Sequence, residues 1–139
     1  MLVPGITGAT IACAVAFFFL FELSFEVIYD LRDHPGDALA GVRTYPVVHG
    51  EAGAVRIIDG LLAASSAALI LGYATGVVPW RMLVMVLAPL LQLVIYKRAL
   101  GRGITSRDCI NLTWLGTGLL IAYHLWIALG LPGVGVVPR

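Results

Sequence analysis

The chain has 139 residues, of which 60% are hydrophobic and 12% charged, with a formal charge of +1 and a mean hydropathy of +0.95. Such a composition lies far outside that of soluble domains and points to an integral membrane protein. The near-neutral balance leaves no basic footprint for nucleic acid, so no nucleic-acid partner is expected. Cys13 and Cys109 stand in or beside apolar stretches without CxxC spacing and read as buried free thiols.

At about 20 residues per crossing, four apolar spans follow in chain order. They cover Ile6 to Tyr29, Ile57 to Gly76, Val77 to Tyr96 and Ile110 to Leu131. Each is predicted helical, because an isolated strand would leave its backbone unpaired in lipid. The fold class is therefore an all-α membrane protein of about four helices. The first span opens without a basic n-region and runs into acidic residues rather than a cleavage site, so it is expected to be retained. Between the first two spans lies a predicted connecting loop over 30–56, long enough to suggest a functional lid. The second and third spans are joined by a tight turn around Gly76 and Pro79, and Pro89 is expected to kink the third. Gly60, Ala63, Ala64, Ala67 and Ala68, together with Gly116 and Gly118, are expected to let helices approach closely.

The basic residues set an orientation. Arg32, Arg43, Arg56, Lys97, Arg98, Arg102 and Arg107 fall on one side, against Arg81 and Arg139 on the other. The richer side is expected to be cytoplasmic, with both ends of this chain outside and Trp80 anchoring the far interface. A prokaryotic plasma membrane is the expected location.

The residues that carry chemistry cluster where the first span ends, in FEVIYDLRDHPGD, residues 25–37. Measured from Glu22 at about 100° per residue, Glu26 lies near 40°, Tyr29 near −20°, Asp30 near 80° and Asp33 near 20°. That shared face descends about 16 Å into the span, too deep for every carboxylate to reach bulk water unless it borders a polar cavity. The helix is expected to stop at His34-Pro35-Gly36-Asp37, with a turn bringing Asp37 back towards Asp33. Carboxylates gathered in this way repel one another unless a cation neutralises them, and open oxygen sites suit Mg²⁺ with a diphosphate. The plainer alternative is a solvated helix end with surface ion pairs involving Asp30, Arg32 and Asp33. Glu22 and Glu26 do not fit that alternative, since acids inside a span are functional candidates by default.

Asp30-Leu-Arg-Asp33-His-Pro-Gly-Asp37, followed by Gly41-Val-Arg43-Thr44-Tyr-Pro46-Val-Val-His-Gly50, resembles the second aspartate-rich motif and following loop of the UbiA-type intramembrane prenyltransferases. The resemblance covers essentially the whole chain, which would correspond to the C-terminal part of a nine-helix bundle, from about the sixth helix onward. It implies a transferase moving an isoprenoid chain from a prenyl diphosphate to a lipophilic acceptor. Asp33 and Asp37, with Asp30 beside them, would hold Mg²⁺. Arg43 would contact the diphosphate, a salt bridge being the alternative; Tyr29 and Glu26 would line the substrate site. Asp33, Asp37 and Arg43 are the expected catalytic set.

The family also carries an N/D-D-x-x-D motif on an early helix, facing the second across the cavity. This sequence has none: Glu51, Asp59 and Asp108 are scattered singly. A fragment, a reading frame begun at an internal Met, or one part of a split enzyme is therefore expected, completed by N-terminal helices on the same or another chain. A non-catalytic cation-binding or assembly subunit remains the alternative; it would not need the Arg43-Thr44-Tyr45-Pro46 segment. His34, His49 and His124 lack zinc-ligand spacing. Lys97, Arg98, Arg102 and Arg107 read as headgroup contacts, and Asp108 with Asn111 either faces the cavity or caps the last helix.

Overall fold

The computed structural model describes residues 7–130, all of whose regular structure is helical. Helix α1 runs Gly8–Ala40, α2 Tyr45–His49, α3 Glu51–Ala74, α4 Leu87–Leu100 and α5 Ser106–Ala128, with a 3₁₀ segment over Trp80–Val86 leading into α4. The segments Gly8–Ala40, Glu51–Ala74, Trp80–Leu100 and Ser106–Ala128 are each long and apolar enough to cross a membrane. Ile6, Leu131 and Arg139, which bound or orient the expected spans, lie outside the described residues.

The largest departure from expectation is the end of α1. It does not stop at Pro35 but continues through it to Ala40. An interior proline removes one backbone hydrogen bond and strains the preceding turn. That cost is offset here because Leu31 is buried in the core and α1 packs on both α2 and α3. Ala38, Leu39 and Ala40 are also good helix formers. The true stop is Gly41, at φ +70° in the left-handed region, where the Val42 amide donates to the Asp37 carbonyl at 2.9 Å. This is a glycine-terminated helix end, and Gly36 plays no such part. The expected loop over 30–56 shrinks to the link 42–44 and the short α2, with α3 beginning at Glu51.

Helix α1 packs chiefly along α3. The Thr10 hydroxyl donates to the Val77 carbonyl at 2.9 Å, and the half-buried Cys13 thiol to the Ala68 carbonyl at 3.1 Å. The close approach occurs at Gly72, where a Cβ would lie 2.6 Å from Cys13 Sγ. The buried stripe of α3 is Ala54, Ile58, Leu62, Ser65, Leu69 and Gly72. Gly60, Ala63 and Ala64, expected to make close contact, lie on its exposed side instead. A small side chain permits contact, but the larger apolar residues gain more from burial and take the inner face. Gly116 does fulfil the expectation, since a Cβ there would come within 3.0 Å of Phe25 Cζ; Gly118 faces open space.

Pro89 falls in the first turn of α4, just after the 3₁₀ segment gives way to the α-helix. Two polar links tie α4 to its neighbours. Gln92 Nε2 donates to Ser24 Oγ at 2.8 Å in the core, and Asp59 accepts from Lys97 Nζ at 2.6 Å and from the Tyr96 hydroxyl. Asp59, solitary in the sequence, is thus the clasp between α3 and α4. At the start of α5, Thr105 and Asp108 form a reciprocal capping box, and Asp108 also pairs with Arg102. The capping alternative for Asp108 is therefore the one adopted. His124 hydrogen-bonds the Leu120 carbonyl at 2.8 Å and stands edge-on to Tyr123, a local packing role. Both Cys13 and Cys109 are free thiols.

Candidate active site

One face of α1 builds the site. Phe17 stacks on Phe21 at 5.8 Å between ring centroids, and Phe21 meets Phe25 edge-on at 5.1 Å. This aromatic ladder at i, i+4 and i+8 follows from 3.6 residues per turn. It forms one wall of a cavity of about 340 Å³, closed from the other sides by α5 and by the segment around Met85 and Ala88. Glu22, Glu26 and Tyr29 continue the wall towards the acidic end of α1, and α5 adds Thr113, Gly116, Thr117, Leu120 and Tyr123. The expected polar pocket is thus largely aromatic and aliphatic, with two carboxylates along one edge. That composition suits a hydrocarbon ligand with a polar end.

Tyr29 and Thr113 share a hydrogen bond of 3.0 Å across α1 and α5. Arg32 lies over the Tyr29 ring, 4.9 Å from its centroid. The same guanidinium forks onto Asp33, with Nε at 2.7 Å from Oδ1 and NH2 bonded to Oδ2. The ion pair entertained for this helix end is therefore formed by Arg32 and Asp33. Asp30 faces the Tyr45 backbone amide at the start of α2. Asp37 has no side-chain hydrogen bond or ion pair among the described residues.

The continuation of α1 changes how Asp37 reaches its neighbours. A turn does not fold it back; it lies four residues beyond Asp33 on the same helix. At about 60° from Glu22 it still joins the face carrying Glu26, Asp30 and Asp33. The acids form a ladder rising about 16 Å from Glu26 to Asp37, and Asp30, Asp33 and Asp37 lie above the cavity wall rather than in it. Among the described residues no three His, Cys, Asp or Glu side chains gather into a closed metal site. Mg²⁺ needs no such closed set: one or two carboxylates with water and substrate phosphate suffice. The donor chemistry of Asp30, Asp33 and Asp37 fits the ion, from one side only.

Arg43 stands exposed in the 42–44 link, outside the cavity wall, and forms no salt bridge among the described residues. Beside it, the Thr44 hydroxyl is buried without a partner. A free, exposed guanidinium favours an anionic ligand there. Thr113, Thr117 and Tyr123 are not candidates on sequence grounds, and Thr44 enters there only as part of the Arg43-Thr44-Tyr45-Pro46 segment. Thr44 carries a weak signal beside Arg43, but the inner face of α5 has almost none, because that helix is apolar all round.

Residues 2–116 match the model of the UbiA prenyltransferase family. The chain belongs to that family. Over 69 residues it is 39% identical to the digeranylgeranylglyceryl phosphate synthase of Methanopyrus kandleri, a stretch covering 50% of this chain and 26% of that protein. The matched region thus spans about a quarter of the curated relative. No solved structure matches the chain. UbiA membership and four helices of spanning length make this an integral membrane protein.

Proposed function

We propose that this chain supplies one side of the active site of a Mg²⁺-dependent membrane prenyltransferase, which moves an isoprenoid chain from a prenyl diphosphate to a lipophilic acceptor. The observation that carries the reading is the continuity of α1: a ladder of carboxylates at one end runs directly into an aromatic cavity. A prenyl diphosphate has the same polarity along its length.

Asp30, Asp33 and Asp37 would hold Mg²⁺, which when bound supplies Lewis-acid stabilisation of charge developing on the diphosphate. Arg43 would grip phosphate oxygens beside it. Asp33 is shared with Arg32, so ligand binding involves a competition for that carboxylate which Asp37 does not face. Tyr29 and Thr113 hold α1 against α5 at the level where the polar head meets the tail. Phe17, Phe21 and Phe25 bury the hydrocarbon, and their ring faces favour nearby positive charge, as on an ionising allylic carbon. Excluding water from that carbon protects it from hydrolysis.

The name of the relative describes a glyceryl phosphate bearing two geranylgeranyl groups, so geranylgeranyl diphosphate is the donor to test first. In the enzyme completed by helices carrying the family's other aspartate motif, donor binding is expected to tighten by at least about tenfold with Mg²⁺, the effect of 1.4 kcal/mol. Chelation should reverse it, as equilibrium binding of labelled donor would show. Metal binding without any affinity for the donor would favour the cation-binding subunit instead.

A cytoplasmic location for the acidic end of α1 is supported by the seven basic residues expected on that side. Ala40 is the exposed last residue of α1. An Ala40→Cys variant in intact cells should react with a membrane-permeant maleimide and resist an impermeant one. Labelling by the impermeant reagent would reverse the orientation.

A further inference from the structure

We propose that Glu26 is the base that accepts the acceptor's proton as the new bond to the prenyl chain forms. The inference rests on the prenyltransferase reading above and assigns that reaction its proton path. Any acceptor that attacks with an atom bearing hydrogen must shed that hydrogen as a proton, whether the atom is a hydroxyl oxygen or an aromatic carbon. The carbon–oxygen bond of the donor breaks and its electron pair leaves with the diphosphate. The acceptor's electron pair forms the new bond to that carbon, and the released proton passes to the Glu26 carboxylate. No oxidation or reduction occurs.

Elimination among the acids points to the residue. Asp33 is held by Arg32, Glu51 by His34, Asp59 by Lys97 and Tyr96, and Asp108 by Arg102 and Thr105. Glu22 and Glu26 have no hydrogen-bond or ion-pair partner among the described residues, and both line the cavity. Among the described residues no His, Lys or Arg lies in that wall. Its hydroxyls are not bases near neutral pH, and those of Tyr29 and Thr113 are already bonded to each other. Two carboxylates are therefore the proton acceptors the cavity offers.

Position along α1 separates them. With the diphosphate at Asp30, Asp33 and Asp37, the first carbon of its chain is the first to enter the cavity. Glu26 lies one turn, about 6 Å, below Asp30, whereas Glu22 lies a further turn down, beside the hydrocarbon. A base must come within hydrogen-bond reach of the proton it takes, and Glu26 occupies that level.

The test uses this chain co-expressed with the complementary helices of a family member bearing the N/D-D-x-x-D motif. The donor is geranylgeranyl diphosphate carrying ¹⁸O in its bridging position, and the acceptor probe is a glycerol phosphate bearing one geranylgeranyl ether. Scrambling of the label, read by phosphorus NMR, reports bond breaking without acceptor; product reports transfer. Glu26→Gln is expected to keep donor affinity and label scrambling near the parent values while transfer falls about 100-fold or more, the usual loss for a general base. Glu22→Gln, a turn further from the reacting carbon, should lose less transfer than Glu26→Gln does. Undiminished transfer by Glu26→Gln would overturn the assignment, as would equal loss of scrambling and transfer, or the larger loss in Glu22→Gln. A parent complex that neither binds nor ionises the donor would instead remove the prenyltransferase reading itself, and the proposal with it.

Discussion

The 139-residue chain, purified alone in detergent or bilayers, is expected to form no detectable prenylated product, however well its helices insert. A departing diphosphate must be stabilised as the carbon–oxygen bond breaks, and fixed, oriented charge is usually the largest single source of such rate enhancement. The acids on α1 present that charge from one direction. Asp30, Asp33 and Asp37 rise along one helix face and do not close around a common point with any fourth acid among the described residues. A cation held in this way would leave the donor free to turn, and orientation alone can account for about 7–11 kcal/mol of a barrier. The cavity edge is also unfinished, since Glu22 and Glu26 are exposed. In lipid, carboxylates so placed call for further protein or water against them. Incubation with radiolabelled geranylgeranyl diphosphate and extraction of prenylated lipid would check this. Sustained turnover by the isolated chain would show that one acidic face is sufficient.

Asp37→Asn is expected to have the largest effect of any single substitution at the acidic end. In the completed enzyme it should lower Mg²⁺-dependent transfer by about 100-fold or more, comparable to removing a key electrostatic group elsewhere. The amide keeps the shape and loses the charge. Asp37 has no side-chain partner among the described residues, so its replacement leaves no ion pair broken and the helix end intact: the cap at Gly41 depends on the Asp37 carbonyl, not its side chain. Asp33→Asn should also weaken donor binding, but it releases Arg32 from its fork, and a freed guanidinium beside the diphosphate compensates in part. Asp33→Asn is therefore expected to be the milder variant. Binding of labelled donor at several Mg²⁺ concentrations, alongside a circular dichroism check of helix content, separates charge loss from misfolding. Donor affinity equal to the parent in both variants would remove the metal assignment.

Much of this arrangement is legible in the sequence because membrane helices are written in long apolar runs, and a 3.6-residue period places Glu22, Glu26, Tyr29, Asp30 and Asp33 on one face without knowledge of any neighbour. The end of α1 is less legible. Pro35 and Gly36 are the strongest local stop signals, yet Gly41 ends the helix, because buried Leu31 and packing on α2 and α3 outweigh a proline's local cost. The turn expected to fold Asp37 back is absent, and helical periodicity instead sets Asp37 on the face of Asp33. Partnerships between distant helices leave little trace. Asp59 with Lys97, or Gln92 with Ser24, are contacts across tens of residues that no local pattern encodes. The inner face of α5 is hidden for another reason. With lipid outside and protein inside both apolar, hydrophobicity does not distinguish its two sides.

The central claim is that the acidic end of α1 is one side of a two-sided transferase site. Its most direct test is to co-express this chain with family helices bearing the N/D-D-x-x-D motif and to measure Mg²⁺-dependent prenyl transfer from geranylgeranyl diphosphate. The account predicts that transfer appears only when both parts are present and is lost when this chain carries Asp37→Asn. Transfer that is indifferent to that substitution, or its absence from a complex that assembles and binds Mg²⁺, would contradict it.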